Sequence, residues 1–349
     1  MITVHASRND DIEDLMFRLM EARDRITSDS GIPIETVRVT LPDNAGSIDE
    51  RLAIAKAATG SEGLISVGGI KPSENLNSIL EEIASEGLFA YIPLDEPKWD
   101  TVIEISKAIH QLADLDPSYA THIGVNVLGT PLVTPYYPLS SSPGHERLVS
   151  TALTYPNYLY RMFLNKGIDG LKEGVETAYD TAYKILKVAS EMVDAKPVGV
   201  DLSVAPWMEE TSLGLVEAVA GTRLPNPGIA MGIARVNKII SDVSNGRHVT
   251  GFNEVQLPVA EDAKLKARVS EGETSARDLA RLSGVCLAGL DLPVVPGDIE
   301  AVAGLILEVY GYSVTKGKPL GVRVVPVEGV EPGDKVRLEK FGDTPVMPI

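Results

Sequence analysis

Cys286 is the single thiol of a 349-residue chain, set in Ser283-Gly-Val-Cys-Leu-Ala-Gly-Leu-Asp291, an apolar run that leads into Leu292-Pro-Val-Val-Pro296. A free cysteine in such a run is either a small buried hydrophobe or a nucleophile, and reactivity requires a helix N-terminus or nearby cation to lower its pKa. Asp201 and Ser203 stand at the end of a strand in Asp-Leu-Ser-Val-Ala-Pro206. Parallel α/β folds collect ligand groups there, although a pair capping the next turn would use the same residues. Asp291 takes a carboxylate into an apolar strand, which demands a partner or a ligand. Glu254, in Gly251-Phe-Asn-Glu-Val-Gln256 with Asn253 before it, is a base or metal ligand if it faces inward and a solvated residue if it does not. With His122, these residues make up the candidate catalytic set: Cys286, Asp201, Asp291, Glu254 and His122.

A second set would position a ligand. Asn126 lies on an otherwise apolar strand, so its amide needs a defined hydrogen bond. Arg323, alone in the apolar run 321–327, suits an anionic ligand or an internal salt bridge. Tyr136, Tyr137, His145, Glu146 and Arg147 cluster on a proline-rich stretch, either around an opening or as a surface or dimer contact. The candidate substrate-binding set is therefore Asn126, Ser203, Arg323, Tyr136, His145 and Arg147.

Several chemistries are poorly served. No GxGxxG follows a strand, and no phosphate loop, GxSxG elbow or HExxH helix occurs. One cysteine supplies neither an internal disulfide nor a CxxC pair, and the five histidines are nowhere paired at metal-ligand spacing, so no metal is expected and no cofactor is named. A net charge of −17 opposes a surface built to neutralise phosphates, which argues against nucleic acid. No run of 18 apolar residues and no secretory leader is seen, so a cytoplasmic protein with no membrane partner is expected. Only Gln111 and Gln256 represent glutamine, beside 23 prolines, a balance that leans toward heat resistance.

These residues must be positioned by alternating elements. Strand 2–6 and helix 9–26, with Asn9 as the candidate cap, begin a pattern that runs through strands 33–41, 63–67, 88–93 and 121–128 with helices between them. Strands alternating with helices imply a parallel sheet. Residues 129–147 read as a long structured loop, and helices are predicted over 148–165 and 169–194. A second alternating half starts at 197, with a helix at 227–244 capped by Asn226 and strands at 290–295 and 320–326. The expected organisation is one α/β domain, 1–349, whose halves, about 1–128 and 197–349, are joined by 129–196.

The C-terminal third carries a resemblance. Cys286-Leu-Ala-Gly-Leu-Asp-Leu-Pro-Val-Val-Pro-Gly-Asp298, Val322-Arg-Val-Val-Pro326, Gly333-Asp334 and Gly342-Asp-Thr-Pro-Val-Met-Pro348, with Val200–Pro206 upstream, resemble the uncharacterised domain-of-unknown-function seven-eleven family. The resemblance implies a barrel-like, largely parallel sheet surrounded by helices, similar to the pyruvate formate-lyase-like fold, and a homodimer. It also implies that Cys286 lies near the segment that carries the reactive cysteine in those radical enzymes. The chain departs from them: Val285 and Leu287, not a second cysteine, flank Cys286, and no glycyl-radical run stands near the C-terminus. Two functions are expected in competition. One is an enzyme acting on a small carbonyl or anionic metabolite in the barrel mouth, with Cys286 as its thiol. The other is a non-catalytic homodimeric barrel or ligand-binding protein in which Cys286 is packing.

Overall fold

The structure, a computed structural model, describes every residue except Ser61, Glu74, Cys286 and Leu287. Its first half runs β1 (Ile2–His5), α1 (Ile12–Ser30), β2 (Val37–Thr40), α2 (Ile48–Ala58), β3 (Leu64–Gly69), α3 (Leu76–Ser85), β4 (Phe89–Leu94), α4 (Trp99–Leu115) and β5 (Ile123–Val127). After a long loop come β6 (Leu148–Ala152), α5 (Pro156–Met192) and β7 (Lys196–Asp201), then α6 (Ser212–Ala220), α7 (Ile229–Ser244), α8 (Ala263–Ser270) and α9 (Ala276–Leu282). The chain finishes with β8 (Gly289–Pro296), α10 (Ile299–Lys316), β9 (Leu320–Val327) and the pair β10 (Lys335–Leu338) and β11 (Gly342–Pro345).

Helix ends follow local chemistry. Asp11, not Asn9, caps α1, accepting from the amides of Glu13 and Asp14, and Gly31 ends that helix at φ 69°. Ser47 and Glu50 form a reciprocal capping box on α2, and Asp298 caps α10. Gly228, not Asn226, flanks the start of α7, with no side-chain cap. Gly167, at φ 61°, breaks α5 so that its two parts fold against each other, bringing Leu159 and Met162 close to Gly174.

Nine strands form one sheet in the order β7-β6-β1-β2-β3-β4-β5-β9-β8, with all neighbours parallel except β1–β6 and β5–β9. Strand β6 falls where the sequence pattern predicts helix. Leu148-Val-Ser-Thr-Ala152 is short, and its pairing with β1 is a long-range choice that local periodicity does not encode. The expected closed barrel is also not formed. Among the described residues no ladder joins β7 to β8, which stand at opposite ends of the sheet order. Between them stands the irregular stretch 249–262, attached beside β7 by the single bridges Val200–Val249 and Val204–Val255, with its 3-10 turn Val259–Glu261 packed on β8.

Strand alternation assigns the two faces. On β1 and β2 the apolar residues Ile2, Val4, Val37 and Val39 are buried in the hydrophobic core. Between them Thr3, His5, Arg38 and Thr40 take the other face, where they meet the loop after β5. That loop lies over this face of the sheet. Thr3 and Arg38 both donate to the Pro135 carbonyl (3.1 and 3.0 Å), His5 Nδ1 lies 2.8 Å from the Ser141 carbonyl, and the Thr40 hydroxyl lies 2.7 Å from that of Ser140. A buried loop keeps its polar backbone only if such partners exist.

Candidate functional site

A cavity of about 430 Å³ lies between this loop and the sheet. Its walls come from the amino-terminal ends of β2, β3 and β4 (Arg38, Leu64, Phe89), from β8 and β9 (Asp291, Arg323), and from the loop residues Tyr136 and Tyr137. Trp207, Gln256 and Glu261 close the side beyond β7, and Lys340 and Phe341, on the turn between β10 and β11, reach in from the C-terminal arm. Glu35, Thr154, Trp207 and Lys340 are exposed and mark the mouth, whereas Phe89, Tyr137, Gln256 and Arg323 are buried. The volume suits a small organic ligand.

Three cationic side chains line this space among the described residues. Arg323 is neutralised: its guanidinium grips Asp291 through two bonds (Nε–Oδ1 2.6 Å, Nη2–Oδ2 2.8 Å) and donates to Glu261 Oε1 at 3.1 Å. Burial works against its charge, but the two carboxylates hold its pKa above the usual arginine range. Arg38 is different. It donates to the Pro135 carbonyl and, through Nε, to Thr36 Oγ1 (3.3 Å), and its guanidinium carbon lies 5.1 Å from the Tyr137 ring centre, with no carboxylate within 4 Å among the described residues. The Lys340 ammonium lies 5.4 Å from the Phe89 ring centre and 5.3 Å from that of Phe341, also with no ion pair among the described residues. The residue is exposed at the mouth, but its ammonium lies against the two rings, and this partial withdrawal from water lowers its pKa, with Arg38 and Arg323 adding repulsion.

Glu261 is a further carboxyl of the cavity wall. Burial raises its pKa, Asp291 adds to the rise, and Arg323 opposes it. One oxygen meets Arg323, and no hydrogen bond engages the other among the described residues.

Of the residues singled out from the sequence, Asp291, Arg323, Tyr136 and Tyr137 line the cavity. Asp201 is engaged elsewhere. Its carboxylate accepts from Thr134 Oγ1, the Ser203 amide and hydroxyl, and the amides of Phe252 and Asn253, which ties β7 to the long loop and to the stretch after Gly251. Burial pushes its pKa up while these bonds pull it down. Glu254 is buried between Lys316 (2.9 Å) and Lys318 (2.5 Å). His122 stacks on Phe89 at 4.6 Å with Nδ1 2.9 Å from the Leu88 carbonyl, and burial lowers its pKa to about 4. Asn126 donates to the Thr130 carbonyl, bracing the turn after β5. Arg147 pairs with Asp10 (2.8 Å) and donates to the Val193 carbonyl, and His145 is exposed beside Glu146. Cys286 lies outside the described residues; Ala288, two positions on in the chain, lines the cavity.

Sequence reasoning missed Arg38, Glu261, Gln256 and Lys340. Arg38 carried a usable signal, a lone cation alternating with valines in Val37-Arg-Val-Thr40, the pattern of a strand with one polar face. Glu261 and Lys340 sit on short 3-10 turns whose approach to the sheet is a long-range matter. Among the described residues no three His, Cys, Asp or Glu side chains group as a metal site, and no helix is long and apolar enough to cross a membrane.

A family described as Uncharacterised ACR (DUF711) matches residues 98–339. The chain is similar to a UPF0210 protein of Methanopyrus kandleri, 27% identical over 95% of this chain and 83% of that protein. It is similar also to a UPF0210 protein of Pyrobaculum arsenaticum, 26% identical over 93% of this chain and 80% of that one. With a UPF0210 protein of Lactiplantibacillus plantarum it shares 30% identity over 58% of this chain and 49% of the relative.

Proposed function

The chain belongs to the Uncharacterised ACR (DUF711) family, and from the chemistry of its cavity we propose that it is an enzyme binding a small anionic metabolite and moving a proton on it. The observation that carries this reading is the unequal treatment of the cavity's cations. Two carboxylates saturate Arg323, while Arg38 and Lys340 have no carboxylate within ion-pair distance among the described residues, in a chain whose net charge is −17. Unpaired cations between aromatic walls attract and hold an anion. Arg38 anchors the anion, the rings of Phe89 and Tyr137 cover its apolar body, and Glu261 gives or takes the proton, with Asp291 and Arg323 setting its affinity for that proton. Cys286 remains the candidate thiol of this site. The homodimer and the cytoplasmic setting belong to the same proposal.

Mass spectrometry of small anions released by denaturing the purified protein tests the reading. The wild type is expected to retain an anion that Arg38→Ala loses, and Glu261→Gln is expected to retain it without converting it. A wild type no richer in any anion than Arg38→Ala contradicts the proposal.

A further inference from the structure

Lys340 is set apart from the other cations of the cavity. Asp291 and Glu261 engage Arg323, and the Pro135 carbonyl and Thr36 engage Arg38, whereas the Lys340 ammonium meets only the rings of Phe89 and Phe341 among the described residues. The turn that carries it is fixed on both sides: the Glu339 amide donates to Ser118 Oγ at 3.1 Å, and Lys266 Nζ donates to the Phe341 carbonyl at 2.6 Å. The residue is exposed and lines the mouth, so its amine is within reach of an incoming ligand. It also stands close to the anion anchor. Lys340 lies against Phe89 and Arg38 against Tyr137, and the centres of those two rings are 5.3 Å apart. Contact with rings in place of water, together with the like charges of Arg38 and Arg323, lowers the Lys340 pKa against the pull of Glu261 and Glu339. A lysine treated in this way holds more neutral, nucleophilic amine near neutral pH than an ordinary one does.

Resting on the reading of the cavity as an anion site, we infer that Lys340 is a nucleophile of this site and that the anion is an oxo acid, which Lys340 binds covalently as an imine. Arg38 holds the carboxylate. The neutral amine bonds to the carbonyl carbon as the carbon–oxygen π bond breaks, and one N–H proton passes to that oxygen. The hydroxyl so formed leaves as water with a proton from Glu261, and a protonated imine remains. That cation draws electrons from the neighbouring carbon and acidifies its C–H bonds, which gives the proposed proton movement its chemical cause.

Reductive trapping tests this. Purified protein is incubated at pH 7 with phenylpyruvate and cyanoborohydride, and the reduced adducts are located by peptide mass spectrometry. Lys340 is expected to take up the adduct about tenfold faster or more than the surface lysines, because a lowered pKa and a held carboxylate both favour it. The rate at Lys340 should reach half its maximum below the ordinary lysine pKa of about 10.4. Lys340→Arg keeps the charge and cannot form an imine; it is expected to lose the selective adduct while binding 3-phenylpropionate, which has no carbonyl, within about twofold of the wild type by calorimetry. Adducts spread evenly over the lysines of a wild type that binds 3-phenylpropionate overturn this inference and leave the anion reading standing. A selective adduct that persists in Lys340→Arg also overturns it and places the imine on another lysine. If 3-phenylpropionate does not bind and phenylpyruvate labels no lysine selectively, the anion reading fails and the inference falls with it.

Discussion

Arg38 stands where a strand residue can either brace a neighbour or serve a ligand, and its contacts divide between the two. The bond to the Pro135 carbonyl supports the loop, while beside Tyr137 the guanidinium has no carboxylate within 4 Å among the described residues, Glu261 acting on it only from farther off. Replacing it by alanine is expected to weaken binding of 3-phenylpropionate by about tenfold or more, since a charge-assisted hydrogen bond to an anion is lost. Stability should fall by about 1–2 kcal/mol, for the hydrogen bonds to the Pro135 carbonyl and the Thr36 hydroxyl. Unfolding midpoints beside calorimetric affinities separate the two, and an unaltered affinity would remove Arg38 from the site. Cys286 calls for a different measurement. If its thiol serves the cavity, native protein should react with iodoacetamide faster than unfolded protein below the ordinary thiol pKa of about 8.5. Reaction only after denaturation would make it packing.

At the scale of elements, the loop after β5 decides whether a cavity exists at all. It lies so close to the sheet that a Cβ on Gly124 would stand 2.8 Å from Pro138 and 3.0 Å from Leu139. A Cβ on Gly321 would overlap the Leu139 side chain. Gly124→Val is therefore expected to cost about 1–3 kcal/mol through overpacking and to loosen the loop. Urea unfolding and limited proteolysis within 129–147 would register both, and unchanged stability would mean that the loop rests elsewhere. The sequence showed this stretch as long, proline-rich and structured, but not that it turns inward, because that depends on Thr3, His5 and Thr40 from strands far away in the chain. The alternation of strands and helices over 2–127 was legible for the same reason that it forms: each element carries its own period and punctuation. Strand β6 and the bridges at 249–255 were not, since both exist through pairing with distant strands. Asp291 and Arg323 were visible as charges in apolar runs, whereas their convergence with Glu261 comes from the 3-10 turn docking on β8.

For the whole molecule, the polar interior has a consequence in acid. His5, between the Ser141 carbonyl and Ser150, and His122, against Phe89, are both buried, and burial lowers each pKa to about 4. Both stay neutral in the folded state while the unfolded chain takes up protons from about pH 6.5 downward, so the stability that they contribute is lost between about pH 6.5 and 4. Burial raises the carboxyls of Asp201, Glu261 and Asp262, which has the opposite sign: the folded state binds their protons first, so acid favours it. A single variant isolates the histidine contribution. His122→Leu should be less stable than the wild type at pH 7, and the gap should narrow by about 2–3 kcal/mol by pH 4.5. A gap that stays constant between the two pH values would mean that His122 titrates alike in both states.

The account turns on an anion held by Arg38 beneath the loop 129–147. The most direct test is a crystal soaked with 3-(4-iodophenyl)propionate and measured for iodine anomalous scattering. Iodine between Phe89 and Tyr137, with the carboxylate on the Arg38 guanidinium, is the predicted result. Iodine bound elsewhere with the cavity filled by water alone would contradict it.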